Sequence, residues 1–416
     1  MEGGKRIRRR EFIKWAGVAG GTALLQGWPN LIGWVAHSQP REVKIGHIHP
    51  LSGGLALEGN EMKDAITLAV EEVNVAGGIK SLGGAKITLL HGNSEGSPEK
   101  GAAEAERLIG EGVVGLLGAY QSAVAFITTQ VAERRRTPFV ITVAVADEIL
   151  RRGFRYSFRV QPNAEAMARY GIEYLTTLAK TSGAEVRTIT LMHENSLFGT
   201  SIGDHLQRFA SAAGLRVLER ISYPAATADV TTEINKIKAA RPDVAIFTGY
   251  FRDGVLIART LAELQVDVKG ILGVANGAFS HPRFSREAGP ASEYIMDSNY
   301  YYNPVNPRTR GVFRRYQERF GRPMSTHAVY AYVAAKVLID AIERAGSTNR
   351  DRIRDALAAT NLKDHILPQK EIRFDERGEN VNARPVLLQV RGGQPRVILP
   401  TQYSELTAVF PIPKRR

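Results

Sequence analysis

Residues Val43–Gly78 read VKIGHIHPLSGGLALEGNEMKDAITLAVEEVNVAGG. The opening run, Val43–Ile48, is short and apolar with partial alternation, which predicts a strand that the following Pro-Leu-Ser-Gly-Gly segment ends. Apolar side chains at helical spacing follow over Glu61–Val75 and stop at a double glycine. A strand joined directly to such a helix is the repeating unit of an α/β fold.

The same alternation recurs along most of the chain. Short apolar runs predict a first series of strands at 87–90, 113–117 and 139–142, and a second series at 188–192, 217–222, 244–247 and 270–272. Helical patterns separate these strands, so each series predicts a parallel sheet with helices on both faces. The two series meet near Arg159–Asn163. The sequence therefore predicts an α/β protein with two doubly wound parallel-sheet lobes.

The amino-terminal segment predicts export. Two arginines are followed by a hydrophobic residue and then a lysine at the spacing typical of a twin-arginine signal: Arg9, Arg10, Phe12 and Lys14. The apolar run Trp15–Leu25 is short for a membrane span. We expect a signal peptide over residues 1–36, with cleavage near Ala36, and an uncleaved anchor is the alternative.

Composition limits the chemistry of the exported body. The 416 residues include no cysteine, which excludes disulfides, thiolate catalysis, cysteine-ligated zinc and a lipidated cysteine tether. The formal net charge is +13, and six basic and two acidic residues within 1–36 leave about +9 for the body. No run of basic residues with interleaved aromatics accompanies this charge. It therefore indicates a solvated basic surface rather than a nucleic-acid site.

Two doubly wound lobes in series predict a ligand site between them. The carboxyl ends of their strands and the amino ends of their helices face such a cleft. Helix amino ends present unpaired N–H groups and partial positive charge, so the cleft favours a small anionic or zwitterionic ligand. The pattern alone names no ligand.

Several segments carry a resemblance to a known family. The opening KIG, PLSG and AVEEVNVAGGI segments are joined by GAYQS at 118–122, PFVIT at 138–142, FR at 154–155, RPDV at 241–244 and GY at 249–250. Together they resemble the periplasmic leucine/isoleucine/valine-binding protein family over roughly residues 41–400. The resemblance implies a type I periplasmic binding protein fold with a three-strand hinge. It also implies a solute-binding subunit that closes on a small molecule and delivers it to the permease of an ABC importer.

The resemblance also sets the expected division of the chain. A third crossing between lobes would return the segment after residue 380 to the second lobe. We expect the first lobe to comprise 41–160 and 297–380, and the second lobe 161–296 and 381–400. Residues 401–416 are expected to form a carboxy-terminal tail.

The resemblance implies five ligand contacts in the cleft. Ser122, at the start of a helix, corresponds to a serine whose hydroxyl holds a ligand carboxylate, although an ordinary helix cap is the alternative. Thr142 and Ala144 belong to a loop that contributes backbone contacts, but the family's threonine hydroxyl falls on Ala146. Aromatic positions of the second lobe, which otherwise would only pack in its core, correspond to Phe198 and Tyr250.

One departure from the family concerns the ligand's amine. Amino-acid binders place a carboxylate where this chain has Asn276, and an amide cannot neutralise an ammonium. Glu58 occupies a first-loop position that is often aromatic in the family, so it either supplies the missing charge or is a first-turn glutamate favoured by the helix dipole. Ser52, in the glycine-rich loop after the first strand, completes the expected ligand-binding residues.

Enzymatic interpretations have little support in the sequence. His47 and His49 share one face of a strand, but the sequence shows no third metal ligand to match them. The His193-Glu194 pair lacks the second histidine of a zinc-protease motif, and no P-loop or dinucleotide pattern is present. We expect no cofactor, metal site or catalytic residue, and a monomer. A sensor domain for amides or small acids and a secreted α/β hydrolase or nucleotide-processing enzyme remain the alternatives to an importer subunit.

Overall fold

The computed structural model describes residues 42–225 and 227–414. The expected signal motif at Arg9, Arg10, Phe12 and Lys14 lies outside the described residues, as does the cleavage position near Ala36. None of the helices within the described ranges is long and apolar enough to cross a membrane.

The first sheet is built from the amino-terminal third of the described chain. Its elements, in chain order, are β1 (Glu42–His49), α1 (Ala56–Val75), β2 (Lys86–Asn93), α2 (Pro98–Gly110), β3 (Leu116–Gly118), α3 (Ser122–Arg134), β4 (Phe139–Ile141) and β5 (Ser157–Arg159). The strands lie in the order β2-β1-β3-β4-β5 and every pair is parallel. Helix α1 begins earlier than predicted, which places Glu58 in its first turn.

The second sheet begins with the next series of strands. Its elements are α4 (Ala164–Ser182), β6 (Thr188–Glu194), α5 (Leu197–Ala212), β7 (Arg216–Tyr223), α6 (Thr231–Ala240), β8 (Val244–Thr248), α7 (Phe251–Glu263), β9 (Gly270–Val274), α8 (Phe284–Ala288) and β10 (Met296–Asn299). These strands are parallel in the order β10-β9-β8-β6-β7.

The carboxy-terminal third contributes to both lobes. Its elements are α9 (Pro307–Phe320), α10 (Thr326–Ala345), α11 (Arg350–Ala358), β11 (Asn361–Leu362), β12 (Ile372–Arg373), β13 (Val386–Arg391) and β14 (Gln394–Leu399). Helix α10 packs along α1 in the first lobe and is apolar around most of its circumference, as expected for a buried helix. Strand β13 joins β10 in antiparallel pairing, and β14 extends the second sheet beyond it.

Three segments cross between the lobes, and the structure shifts one expected boundary. They follow β5, follow β10 and precede β13. The expected division at 296/297 would cut β10, which pairs with β9 and β13, so the second crossing begins after Asn299. The carboxy-terminal tail packs on the second lobe, because Phe410 and Ile412 are buried and the Ile412 N–H donates to the Lys269 carbonyl oxygen at 2.9 Å. The predicted α/β architecture of two doubly wound lobes is confirmed.

Candidate ligand-binding site

A small cavity lies between the two lobes. The first lobe and the segment after β10 contribute one part of its wall, and the second lobe contributes the rest. The lining residues are Tyr120, Ser122, Val143, Ala144, Val145, Phe198, Gly249, Tyr250, Ala275, Gly277, Tyr300 and His327. Four of the eight residues predicted to bind a ligand are therefore brought together here: Ser122, Ala144, Phe198 and Tyr250.

Parallel topology explains why these residues meet. Nearly all of the lining follows the carboxyl end of a strand: β3, β4, β6, β8, β9 or β10. The carboxyl ends of parallel strands share one edge of a sheet, and the two sheets present these edges to each other. His327 is the exception, since it lies in the first turn of α10.

Helix amino ends surround the cavity, but only some of them have a carboxylate partner. At α5, the Gly199 N–H donates to Glu194 Oε1 at 2.6 Å, and at α7 the Tyr250 N–H donates to Asp253 Oδ2 at 3.1 Å. At α3, the N-cap residue Gln121 makes no capping hydrogen bond. The free N–H groups of this first turn keep the partial positive charge of α3 available to an anion in the cavity.

Ser122 does not cap its own helix. Its hydroxyl oxygen accepts a hydrogen bond at 3.3 Å from the N–H of Ala146, in the loop that follows β4. Ala144 in the same loop lines the cavity, and its N–H donates to the Ala119 carbonyl oxygen at 3.2 Å. The structure thus joins the α3 start and this loop into one wall, which combines a hydroxyl with backbone N–H groups.

Aromatic rings form much of the remaining wall. Tyr250 lies between Tyr120 of the first lobe and Phe198 of the second, with ring centroids 5.5 and 5.3 Å apart respectively. Tyr300, in the crossing after β10, also lines the cavity. Rings at these separations make favourable edge and offset contacts. The aromatic wall therefore suits the apolar part of a small ligand.

The other four predicted contacts, Thr142, Ser52, Asn276 and Glu58, are not among the lining residues. The Thr142 hydroxyl is 3.0 Å from His49 Nε2 and is directed at the sheet rather than at the lining. Ser52 is exposed, and its hydroxyl accepts from Asn93 Nδ2 at 2.9 Å. In both cases a neighbouring side chain on β1 or β2 already holds the hydroxyl.

The β1 histidines form a chain rather than a metal site. His47 lies between His49, at 3.0 Å between Nδ1 atoms, and His91 of β2, whose Nδ1 is 2.7 Å from His47 Nε2. The two contacts use opposite nitrogens of the His47 ring, so the three rings do not converge on one point. Within residues 42–225 and 227–414, no group of three or more potential ligands is arranged to hold a metal ion.

Asn276 lies just behind the wall between two lining residues, Ala275 and Gly277. Its side-chain oxygen accepts from the Ala278 N–H at 3.0 Å, so the amide folds back onto its own loop. Asp297 supports this loop from behind, because its Oδ1 accepts from the Asn276 N–H at 3.3 Å. Burial raises the pKa of Asp297 to about 7, against the hydrogen bonds that it accepts.

Glu58 is a buried carboxyl without a hydrogen-bond partner. It is 1% exposed, and neither side-chain oxygen has a hydrogen-bond partner among the described residues. Burial raises its pKa to about 7, and the nearby acids Glu61 and Asp253 add to this while His281 opposes it. Its field also reaches Tyr120 and Tyr250 of the cavity wall. An unpartnered buried carboxylate is costly, so Glu58 needs either a proton or a donor supplied by a ligand.

Some lining residues were missed at the level of sequence. Tyr120 lies inside the GAYQS segment, so its position carried a signal, whereas Tyr300 follows β10, whose mostly polar sequence predicted no strand. His327 carried none, since the start of α10 is far in sequence from every predicted strand end. Burial lowers the pKa of His327 to about 3, and its Nδ1 has no partner among the described residues, so it presents a neutral ring to the cavity.

Two histidine–carboxylate contacts connect the lobes around the cavity. His281 Nε2 lies 3.1 Å from Glu61 Oε2 of α1, and His205 Nε2 lies 2.5 Å from Asp147 Oδ2. The Arg283 N–H donates to His281 Nδ1, so the Nε2 atom of this ring carries the proton given to Glu61. These contacts join the two lobes beside the cavity.

Comparisons with known proteins agree with this geometry. Residues 42–394 match the model of the family described as periplasmic binding protein. The Leu/Ile/Val-binding protein homolog 8 of Brucella abortus (strain 2308) is 31% identical over 378 residues, covering 88% of this chain and 92% of the relative.

Solved structures share the fold. The branched-chain amino acid transporter substrate binding protein LivJ of Streptococcus pneumoniae, in complex with isoleucine, has a TM-score of 0.76 at 19% identity and covers 89% of this chain and 100% of its own. An ABC transporter solute binding protein from R. palustris, in complex with benzoate, has a TM-score of 0.74 at 18% identity, with coverages of 88% and 98%. The match of the family model over most of the chain, together with the Brucella relative, shows that this chain belongs to the periplasmic binding protein family.

Proposed function

We propose that this protein is the exported solute-binding subunit of an ABC importer. It captures a small α-amino acid between its lobes, closes on it by hinge motion and delivers it to a membrane permease. It acts outside the cytoplasm as a monomer, needs no cofactor and catalyses no reaction. The names of the relatives support binding and transport, since they describe branched-chain amino acid or small-acid binders.

The uncapped start of α3 is the observation that supports a carboxylate ligand. Gln121 leaves the first-turn N–H groups free, and Ser122 adds a hydroxyl on the same wall of the cavity. At the neighbouring amino ends of α5 and α7, backbone N–H groups already donate to carboxylates of the protein, Glu194 and Asp253. A ligand carboxylate therefore gains most at α3.

The unpartnered carboxyl of Glu58 supports the amino-acid class. An ammonium group beside Glu58 would give its two oxygens the donors that they lack. It would also favour the ionised form of a carboxyl whose pKa burial has raised to about 7. Glu58 would then replace the carboxylate that is missing at Asn276.

An acid without an ammonium is the competing ligand class. The benzoate complex of the R. palustris protein shows that this fold also holds aromatic acids, and the ring-lined wall of this cavity would suit one. With such a ligand bound, Glu58 would be buried as the protonated acid.

A ligand screen tests the proposed function. Leucine, isoleucine, benzoate, 3,4-dihydroxybenzoate and short amides should be compared by their effect on the melting temperature, because a ligand that binds only the folded protein raises it. We expect an amino acid to give the largest rise. No rise with any carboxylate, or a rise with amides alone, would contradict the carboxylate site.

The role of Glu58 is tested by one pair of ligands on two proteins. Leucine and its des-amino analogue, 4-methylpentanoate, should be titrated into the wild type and into Glu58→Gln. We expect wild type to prefer leucine and Glu58→Gln to lose much of that preference, since a buried ammonium without a counter-charge is costly. Tighter binding of 4-methylpentanoate to the wild type would overturn the amino-acid assignment.

The export route has a separate test. Arg9 and Arg10 should both be replaced by lysine and the cells fractionated. We expect the protein to accumulate in the cytoplasm. Normal delivery of this double variant would contradict twin-arginine export while leaving the binding function untouched.

A further inference from the structure

Arg159, the last residue of β5, holds the loop that forms part of the cavity wall. Its Nη1 donates to the carbonyl oxygen of Val145 at 2.7 Å and its Nη2 donates to that of Ala146 at 2.6 Å. Gln161 supports the same loop, because its Nε2 donates to the Ala144 carbonyl oxygen at 2.8 Å. Three successive carbonyl groups of the loop are thus held by two side chains from the first crossing.

These contacts orient the peptide groups of the loop. Carbonyl oxygens repel an anion, and here they are occupied by Arg159 and Gln161. None of the hydrogen bonds among the described residues uses the N–H groups of Val143 or Val145. Since both residues line the cavity, their N–H groups are the part of the loop that remains for a ligand carboxylate.

Arg159 is also bound to the third crossing. Its N–H donates to the Gly378 carbonyl oxygen at 2.7 Å, and its own carbonyl oxygen accepts from the Asn380 N–H at 3.2 Å. Between these two residues, Glu379 places Oε1 3.4 Å from Arg159 Nη1. One side chain therefore contacts both the cavity loop and a segment that crosses between the lobes.

Burying the positive charge of Arg159 costs folding free energy. The Arg159 side chain is 0% exposed, and its Nε has no partner among the described residues. A buried ion pair is often no more stabilising than apolar residues of similar volume. Stability alone therefore does not account for a guanidinium at this position.

We propose that Arg159 is a positioning residue for ligand binding, which fixes the carbonyl groups of Val145 and Ala146 and, through Glu379, links the cavity loop to the hinge. This inference rests on the proposed function, because it assumes that the loop contacts the ligand. Arg159 itself does not line the cavity, and it acts on the ligand through the loop.

Arg159→Lys tests the proposal, with Arg350→Lys as a matched control. Lysine keeps the charge but cannot give two parallel hydrogen bonds. Arg350, at the start of α11, likewise donates to two backbone carbonyls, those of Val113 and Ile109, but at the opposite end of the first sheet. Melting temperature, affinity for the tightest carboxylate of the screen and amide hydrogen exchange of residues 143–147 should be measured for both variants.

We expect Arg159→Lys to weaken affinity at least tenfold and to speed exchange of residues 143–147. Arg350→Lys should lower the melting temperature to a similar extent without either effect. Equal affinities for the two variants at matched melting temperatures would overturn the proposal.

A milder variant covers the case in which Arg159→Lys fails to fold. Among the described residues no hydrogen bond or ion pair joins the Glu379 side chain directly to the loop, so Glu379→Gln should speed loop exchange if the hinge and the loop are linked through Arg159. Unchanged exchange at residues 143–147 in Glu379→Gln would contradict that link. If none of the carboxylates binds the wild type, the proposed function fails, and the exchange of ligand-free proteins still decides the role of Arg159.

Discussion

The two walls of the cavity differ in how their helix starts are used. On the first lobe, α3 begins at Ser122 without a capping hydrogen bond from Gln121. On the second lobe, α5 and α7 begin beside Glu194 and Asp253, which already accept hydrogen bonds from backbone N–H groups. The same structural element is therefore open to an anion on one wall and occupied on the other.

This difference assigns separate tasks to the lobes. The first lobe offers N–H groups and a hydroxyl, which recognise charge. The second offers the rings of Phe198 and Tyr250, which suit the apolar part of a ligand. An anion bound at the second wall would face two carboxylates, so the proposed ligand carboxylate is expected on the first.

Truncating the aromatic wall should have the largest effect. Tyr250→Ala removes a buried ring that contacts Tyr120 across the cleft, and truncating an aromatic anchor at the centre of a binding site costs roughly 2–4 kcal/mol of binding free energy. We expect affinity to fall by at least about 30-fold. Calorimetry with the tightest ligand measures this, and Tyr250→Phe, which keeps the ring, should stay within about tenfold of wild type. Near-normal binding by Tyr250→Ala would remove the second lobe from the site.

Removing the hydroxyl from the charged wall should have the next largest effect. Ser122→Ala loses a hydrogen bond to a charged group, which costs roughly 1.5–3 kcal/mol, or about one to two decades in affinity. The hydroxyl also accepts from Ala146 N–H, so a small drop in melting temperature is expected. Titration of a carboxylate and of its amide separates the two effects. Equal losses for both ligands would show that Ser122 does not recognise charge.

The pH dependence of binding distinguishes the two ligand classes. Burial raises the pKa of Glu58 to about 7 in this structure; if opening the cleft hydrates the carboxyl and returns its pKa to the ordinary 4.5, Glu58 takes up a proton on closing. Binding of an acid without an ammonium should therefore weaken as pH rises, by roughly twentyfold between pH 5.5 and 7.5. An ammonium keeps Glu58 ionised, so leucine should bind almost equally across this range.

The control for this pH dependence is Glu58→Gln, which should abolish the weakening seen with 4-methylpentanoate. Affinities measured at four or five pH values are sufficient. A slope that survives in Glu58→Gln would assign the titration to another group.

Reshaping one ring should have the smallest effect. Phe198→Leu conserves most of the apolar volume, and such changes cost less than about 1.5 kcal/mol. We expect a loss of a few-fold in affinity that is larger for ring-bearing ligands than for aliphatic ones. Phe209→Leu on the same helix α5, away from the cavity lining, is the matched control. A larger loss in the control would indicate that the effect passes through the packing of α5.

Much of the fold and half of the expected site were accessible from sequence. Strands such as β1 and helices such as α1 are set by local apolar spacing, and parallel topology then brings strand ends together. The structure places Ser122, Ala144, Phe198 and Tyr250 on one cavity. It places Thr142 and Ser52 off the lining, with hydroxyls held by His49 and Asn93 from neighbouring strands, because local pattern does not specify the partner of a side chain; the ligand contacts themselves stay predictions.

The sequence by itself determined the succession of strands and helices, because backbone geometry and apolar spacing act over a few residues. Tertiary structure alone decided that α3 stays uncapped while Asp253 occupies the start of α7, and that Glu58 is buried without a partner. It also decided that His327 reaches the cavity and that Arg159 meets Glu379 across the hinge. These features depend on residues far apart in the chain, whose distances and burial are fixed only when the two lobes pack.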